Sequence, residues 1–233
     1  MVQEACVVAT GSCRSGVRGM KWRVLEQRRN FPHVERKIYH MVNGLMCFAL
    51  YAFVLTDAQA LWVLSIVGGA WLAVDALRFR SVAVNNAALR IFGGLMRREE
   101  LRSLTGNSYF ILGLVLVLSV FPRPIVCLSA LYLALGDPIA ALVGTRWGRI
   151  RLFGKKSLEG ALANFVVTAA ATALCGSLLF STSSVWALAV VGGACSAVSE
   201  LIPVPIDDNF TIPVFSASLL WFASQCLPIF AAY

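Results

Sequence analysis

Forty consecutive residues, 160–199, contain no Asp, Glu, Lys or Arg. As one helix this run would measure about 60 Å, twice the ~30 Å hydrocarbon core of a bilayer. It therefore has to cross twice, and the polar STSS at 181–184 is the turn. Charge-free runs at 38–56, 58–74 and 103–122 are each near the ~20 residues of a single crossing. Residues 124–143, with Asp137 as their one charge, and 209–233 supply two more. The pattern predicts an all-α polytopic membrane bundle of about seven helices, near 37–56, 58–77, 106–121, 124–143, 158–180, 184–202 and 210–230. A composition of 58% hydrophobic and 14% charged residues excludes an ordinary soluble domain of this length.

Basic residues orient the bundle, because short cytoplasmic loops collect Lys and Arg. Of the 20, eight lie between 14 and 37, six between 78 and 102, and five between 146 and 156, with Arg123 apart. These are alternate connections, so the N-terminus is expected in the cytoplasm and the C-terminus outside. The net charge of +8 then reflects topology and attraction to an anionic leaflet, not nucleic acid. Residues 1–35 read as a poorly ordered basic tail before a membrane domain of 36–233. The first 20 residues show no signal-peptide core, and Met20 is an alternative start. The seven cysteines form no C-x-x-C pair, and the five in the spans read as small apolar fillers.

Acidic residues at membrane depth are costly and usually face a polar cavity. Asp137 sits about two turns from the cytoplasmic end of the fourth helix, between Gly136 and Pro138. A helix broken there would expose carbonyls beside the carboxylate and suit a cation; the alternative is a proline kink with Asp137 paired to a cytoplasmic arginine. On the same side lie Glu159, Glu200 and the loop IPVPIDDNFTIP, whose Asp207, Asp208 and Asn209 have no Lys or Arg beside them. A hard divalent ion such as Mg2+ fits such a loop, and so does plain helix N-capping.

Between the acids runs GTRWGRIRLFGKKSLEG, residues 144–160. Gly144, Gly148, Gly154 and Gly160 let backbone approach a ligand, Lys155 and Lys156 offer charge, and Ser157 opens a helix whose free N–H groups favour anions. The spacing does not meet the G-x4-G-K-[ST] phosphate loop. A phosphate site of another design and a basic loop with turn glycines both fit.

Five segments together, ERKIYHMVNG (35–44), LTGNSYFILG (104–113), LALGDPIAALVGTRWG (133–148), GKKSLEGALANF (154–165) and SELIPVPIDDNFTIP (199–213), resemble the CTP-dependent lipid-alcohol kinases. That family comprises phytol kinase, dolichol kinase and CTP-dependent diacylglycerol kinase. The chain resembles its compact members more than the longer dolichol kinases. The resemblance implies transfer of the γ-phosphate of CTP, with a divalent metal, to the hydroxyl of a membrane-embedded phytol, polyprenol or diacylglycerol type of alcohol, in phospholipid or other lipid metabolism. On it, Asp137 and Asp207 or Asp208 hold Mg2+, with Glu200 as further ligand or orienter. Lys155, Lys156 and the glycine backbone hold phosphate oxygens, Asn209 meets the nucleotide, and Glu159 positions a lysine. Arg36 and Lys37 meet lipid or nucleotide phosphate, and Asp137 or His40 takes the acceptor's proton. Asn107 and Tyr109 match a family segment and equally suit a polar helix start.

Two other classes fit parts of the pattern. A phosphatidate cytidylyltransferase also uses CTP and metal in a membrane body but leaves the cytidylyl group on lipid. An ion-coupled transporter would use membrane carboxylates and broken helices, yet the outer half of this bundle is nearly charge-free and leaves no through-path.

Overall fold

The computed structural model describes residues 33–93, 96, 100, 103–154, 156–180 and 182–230. Lys155 and nearly all of the expected tail lie outside them. The described elements are helices α1 (His33–Phe53), α2 (Asp57–Arg80), α3 (Val82–Phe92), α4 (Gly106–Val120) and α5 (Arg123–Leu131), a π-helical turn (Tyr132–Gly136), and α6 (Asp137–Arg146). A hairpin of β1 (Arg151–Phe153) and β2 (Lys156–Ser157) follows, then α7 (Leu158–Leu178), α8 (Val185–Leu201) and α9 (Asp208–Cys226).

The expected all-α membrane class holds. Among the described residues, Asp57–Arg80, Arg123–Arg146 and Leu158–Leu178 are long and apolar enough to cross a membrane; Gly106–Val120 and Val185–Leu201 are shorter apolar helices. Residues 123–146 are the axis of the bundle. Fifteen of these 24 residues are buried, against four of the 24 in α2, which lies at the periphery. Cys127, Leu128 and Tyr132 are inaccessible, while α1, α4, α7 and α9 pack around them.

Local chemistry sets the boundaries. Thr56 and Gln59 form a reciprocal capping box at the start of α2, and Ser184 caps α8. Arg123, the basic residue outside the alternation, staples the α1–α2 turn: it bonds Asp57 Oδ1 at 2.8 Å, Leu55 O at 2.7 Å and Tyr51 O.

Three expectations need correction. The helix is not broken at Asp137. The π turn precedes Pro138, so the proline falls in the first turn of α6, where its missing N–H disturbs least, and the helix continues to Arg146. The stretch 78–102, expected as a loop, contains α3, capped by Ser81 and packed on α2, where Phe92 meets Trp71 with ring centroids 4.9 Å apart. The loop 144–160 contains the hairpin, with Arg151 opposite Ser157 and Phe153 opposite Lys156.

Candidate active site

Charged residues from five elements meet at one end of the bundle. Lys37, in the second turn of α1, places Nζ 2.6 Å from Asp137 Oδ2 at the start of α6. Lys156, on β2, donates to the Glu200 carbonyl and reaches Asp208 Oδ1 at 3.3 Å, with Glu200 Oε1 at 3.9 Å. Asp137 is close enough to bear electrostatically on His40, Glu200 and Asp208. Arg36 and Asp207 also act on His40. The structure thus joins Arg36, Lys37, His40, Asp137, Lys156, Glu200, Asp207 and Asp208, residues up to 172 positions apart in sequence. The partner of Asp137 is a lysine from the first helix, not a loop arginine.

The glycine loop is built differently from the expectation. Gly144, Gly148 and Gly160 close around Ser157: an added Cβ would lie 2.9 Å and 2.7 Å from its Oγ at the first two, and 2.7 Å from Ala140 O at Gly160. Their missing side chains make room for Ser157 and the start of α7. Ser157 Oγ itself caps α7 by accepting from Gly160 N at 3.2 Å. Gly154 has φ +56° and open space around it, as a two-residue hairpin turn requires. Glu159 positions no lysine among the described residues. Its carboxylate accepts from the Arg149 and Ile150 N–H groups at 2.9 and 3.2 Å and stitches the segment before β1 to α7.

Capping also claims part of the acidic loop. Asp207 Oδ1 accepts from Asn209 N at 3.0 Å and starts α9. Asn209 is buried and donates through Nδ2 to Gly106 O at 3.2 Å, so its amide pins α9 to the start of α4. A Cβ on Gly106 would lie 2.8 Å from Asn209 Nδ2, 3.4 Å from Glu100 Oε1 and 3.9 Å from His40 Nε2. His40 Nδ1 is buried with no hydrogen-bond partner. Asn107 lines the same small chamber, and Tyr109 is half-buried on α4.

Sequence reasoning missed the network behind this chamber. Asp75, 2% exposed, holds Arg78 Nε at 2.7 Å through one oxygen. Its other oxygen accepts from Thr105 N at 2.8 Å, Thr105 Oγ1 at 3.0 Å and Ser108 Oγ at 2.5 Å. Arg78 Nη2 donates to the carbonyls of Glu100 and Ser103, both at 2.6 Å. The signal was present: an Asp and an Arg three apart at the end of an apolar run sit on one helix face.

Among the described residues, no three His, Cys, Asp or Glu side chains converge as a metal cage. The donors present still suit a hard divalent ion, which takes one or two carboxylates and completes its shell with phosphate and water. Asp137 and Asp208 each engage a lysine through one oxygen and keep a second.

The chain is 29% identical to a CTP-dependent diacylglycerol kinase of Schizosaccharomyces pombe over 87% of its own length and 97% of the relative's. It is 32% identical to a phytol kinase of Synechocystis, over 82% and 79%. A CTP-dependent diacylglycerol kinase of Saccharomyces cerevisiae is 28% identical over 79% and 71%. No family model matches the chain, and no solved structure matches it significantly.

Proposed function

The chain belongs to the CTP-dependent lipid-alcohol kinases, and from that premise we propose that it transfers the γ-phosphate of CTP to a lipid alcohol at the cytoplasmic face of its membrane. The observation that carries the reading is the interleaving of Lys37 and Lys156 with Asp137, Glu200 and Asp208 at one end of an apolar bundle. Phosphoryl transfer needs charge neutralisation and in-line positioning more than covalent chemistry. Lysines paired with carboxylates can turn to triphosphate oxygens, and the carboxylates they release can then take a cation. Asp137 and Asp208 would hold that ion, and Asp207 lies beside them. Bound Mg2+ would neutralise phosphate oxygens. Lys37, Lys156 and Arg36 hold the triphosphate, Glu200 orients Lys156, and His40 or Asp137 takes the proton of the acceptor hydroxyl. The glycines shape the loop that carries Lys156. Seven crossings, with both lysine-bearing segments on the cytoplasmic side, keep this machinery on one face.

The test uses purified protein in detergent with Mg2+ and CTP labelled either at the γ-phosphate or in the cytosine ring. Phytol, farnesol, a longer polyprenol, diacylglycerol and phosphatidate serve as separate acceptors. The expected result is γ-label in the lipid phase and CDP in the aqueous phase, with an alcohol as acceptor. Ring label in the lipid phase together with pyrophosphate would replace the kinase reading by a cytidylyltransferase.

A further inference from the structure

Helices α1 and α2 are consecutive and joined by three residues, yet they find their packing partners apart. α1 lies on α5, the π turn and α6, whereas α2 lies on α3 and α4. Side chains do not fill the gap. A cavity of about 90 Å3, almost wholly apolar, lies between Cys47 and Phe48 of α1 and Ala60 and Leu64 of α2, with Leu114 and Ala130 among its floor. Leu50 and Val63 on its lining are exposed, so it opens sideways to whatever surrounds the bundle.

The same two helices also enclose the small chamber, of about 30 Å3, where Tyr39 and His40 of α1 meet Trp71 of α2, Gly106 and Asn107. The two spaces share a line. His40, Cys47 and Tyr51 are spaced by seven and then four residues, and so are Trp71, Leu64 and Ala60 in the reverse direction. Seven and eleven residues are about two and three helical turns, so each trio lies on one face and spans ~16 Å, roughly half a hydrocarbon core. Cys47, Leu64 and Trp71 rest against one apolar cluster containing Phe110, Leu114 and Ala130; Leu114 and Ala130 line the cavity, and the Phe110 ring lies 6.5 Å from that of His40 in the chamber.

We infer that the α1–α2 groove holds the hydrocarbon chain of the acceptor alcohol and delivers its hydroxyl to the His40 chamber. The inference rests on the kinase reading and adds the location of the lipid. A helix, at ~10 Å across, is too wide for a cavity of this volume, whereas a few methylenes of one flexible alkyl or isoprenoid chain fit it, with the rest of the chain lying along the open rim. A lipid placed here puts its polar end beside the unpartnered His40 Nδ1, within the field of Asp137 and Asp207, and leaves its tail in apolar surroundings. The open rim lets the chain slide in from the bilayer without crossing water.

Ala60→Phe and Ala130→Leu each put bulk into the groove, and Ile66→Phe, on the exposed face of α2, is the control. Phosphorylation of dioleoylglycerol and phytol is compared with that of dihexanoylglycerol. The groove variants are expected to lose ~10-fold or more in kcat/KM for the long acceptors, the scale of steric discrimination in an apolar pocket, with under about 2-fold change for the short one, for the KM of CTP and for the control. Equal loss on all acceptors, or none, overturns the inference. Independently of turnover, a diacylglycerol with a diazirine in its tail should crosslink to peptides covering 45–64 and 111–130, and Ala60→Phe should abolish this. Crosslinks confined to the outer surfaces of α7 and α8 overturn it. Absence of γ-label transfer to every alcohol by the native protein would instead reject the kinase reading, while the crosslinks still decide the groove.

Discussion

Neutralising Asp75 should destabilise the protein more than changing any charge of the active site, and the structure says why. Asp75→Asn keeps the side chain's size but leaves the Arg78 guanidinium, 4% exposed, without its countercharge. Removing one member of a buried pair costs ~3–5 kcal/mol, because the partner's desolvation stays uncompensated. The carboxylate's other oxygen also accepts from Thr105 N, Thr105 Oγ1 and Ser108 Oγ; Asn offers weaker, uncharged acceptance, at a loss of about 1 kcal/mol in total. Arg78→Gln should cost a similar ~3 kcal/mol, since it strands the carboxylate and frees the Glu100 and Ser103 carbonyls. The double variant restores neutrality and retains amide hydrogen bonding, so it should cost no more than the worse single one. Buried Cys127, Cys175 and Cys195 supply the assay. A thiol-reactive fluorophore reports their exposure as the detergent-solubilised protein is heated or titrated with denaturant. Costs of the singles that add in the double to within ~0.5 kcal/mol would show that the two groups are not coupled, and would refute the argument.

Asp137→Asn should leave the melting transition nearly unchanged and lower γ-phosphate transfer by ~10²-fold or more, the scale of lost preorganised electrostatics; normal activity in the labelled-CTP assay would remove Asp137 from the site. Lys156→Ala should raise the KM for CTP, whereas Lys156→Arg keeps the charge and should recover part of the loss; equal KM in both variants would contradict a phosphate role. Gly136→Ala would set a Cβ 2.7 Å from Asn164 Oδ1, which is itself held by Ser196 Oγ at 2.7 Å, so ~1–3 kcal/mol of stability should be lost and Asn164→Ala should restore part of it. In a cysteine-free background expressed in intact cells, an impermeant thiol reagent should label Ser183→Cys and not Ile206→Cys; the reverse would invert the topology drawn from Lys and Arg.

Long helices were legible because a charge-free run is a direct record of what a bilayer tolerates. The same logic hid α3. Six basic residues between 78 and 102 read as a solvated loop, but a count of arginines assumes that each meets water, and Arg78 is buried on Asp75 and two carbonyls. The capping signal at Ser81 was present, yet Asn85 and Asn86 in the middle of the segment masked an apolar face that needed only α2 to cover it.

At the candidate site, membership was legible and pairing was not. Charged residues at membrane depth stand out one by one, so Asp137, Lys156, Glu200 and Asp208 could be named from the chain. Which lysine meets which carboxylate depends on which helices are neighbours. In an apolar bundle that choice is made by small residues, whose contacts have no simple period. Gly192 and Gly193 let α8 close on Thr172 and Ala169 of α7, and Gly44 lets α1 close on Ala134 of the π turn. That last contact brings α1 against the central helix and so puts Lys37 on Asp137. A glycine in the sequence reads equally as room for a ligand and as room for a helix. Here the glycines at 144, 148 and 160 are room for Ser157 and α7, and this close fit holds Lys156, one residue before Ser157, at Glu200 and Asp208.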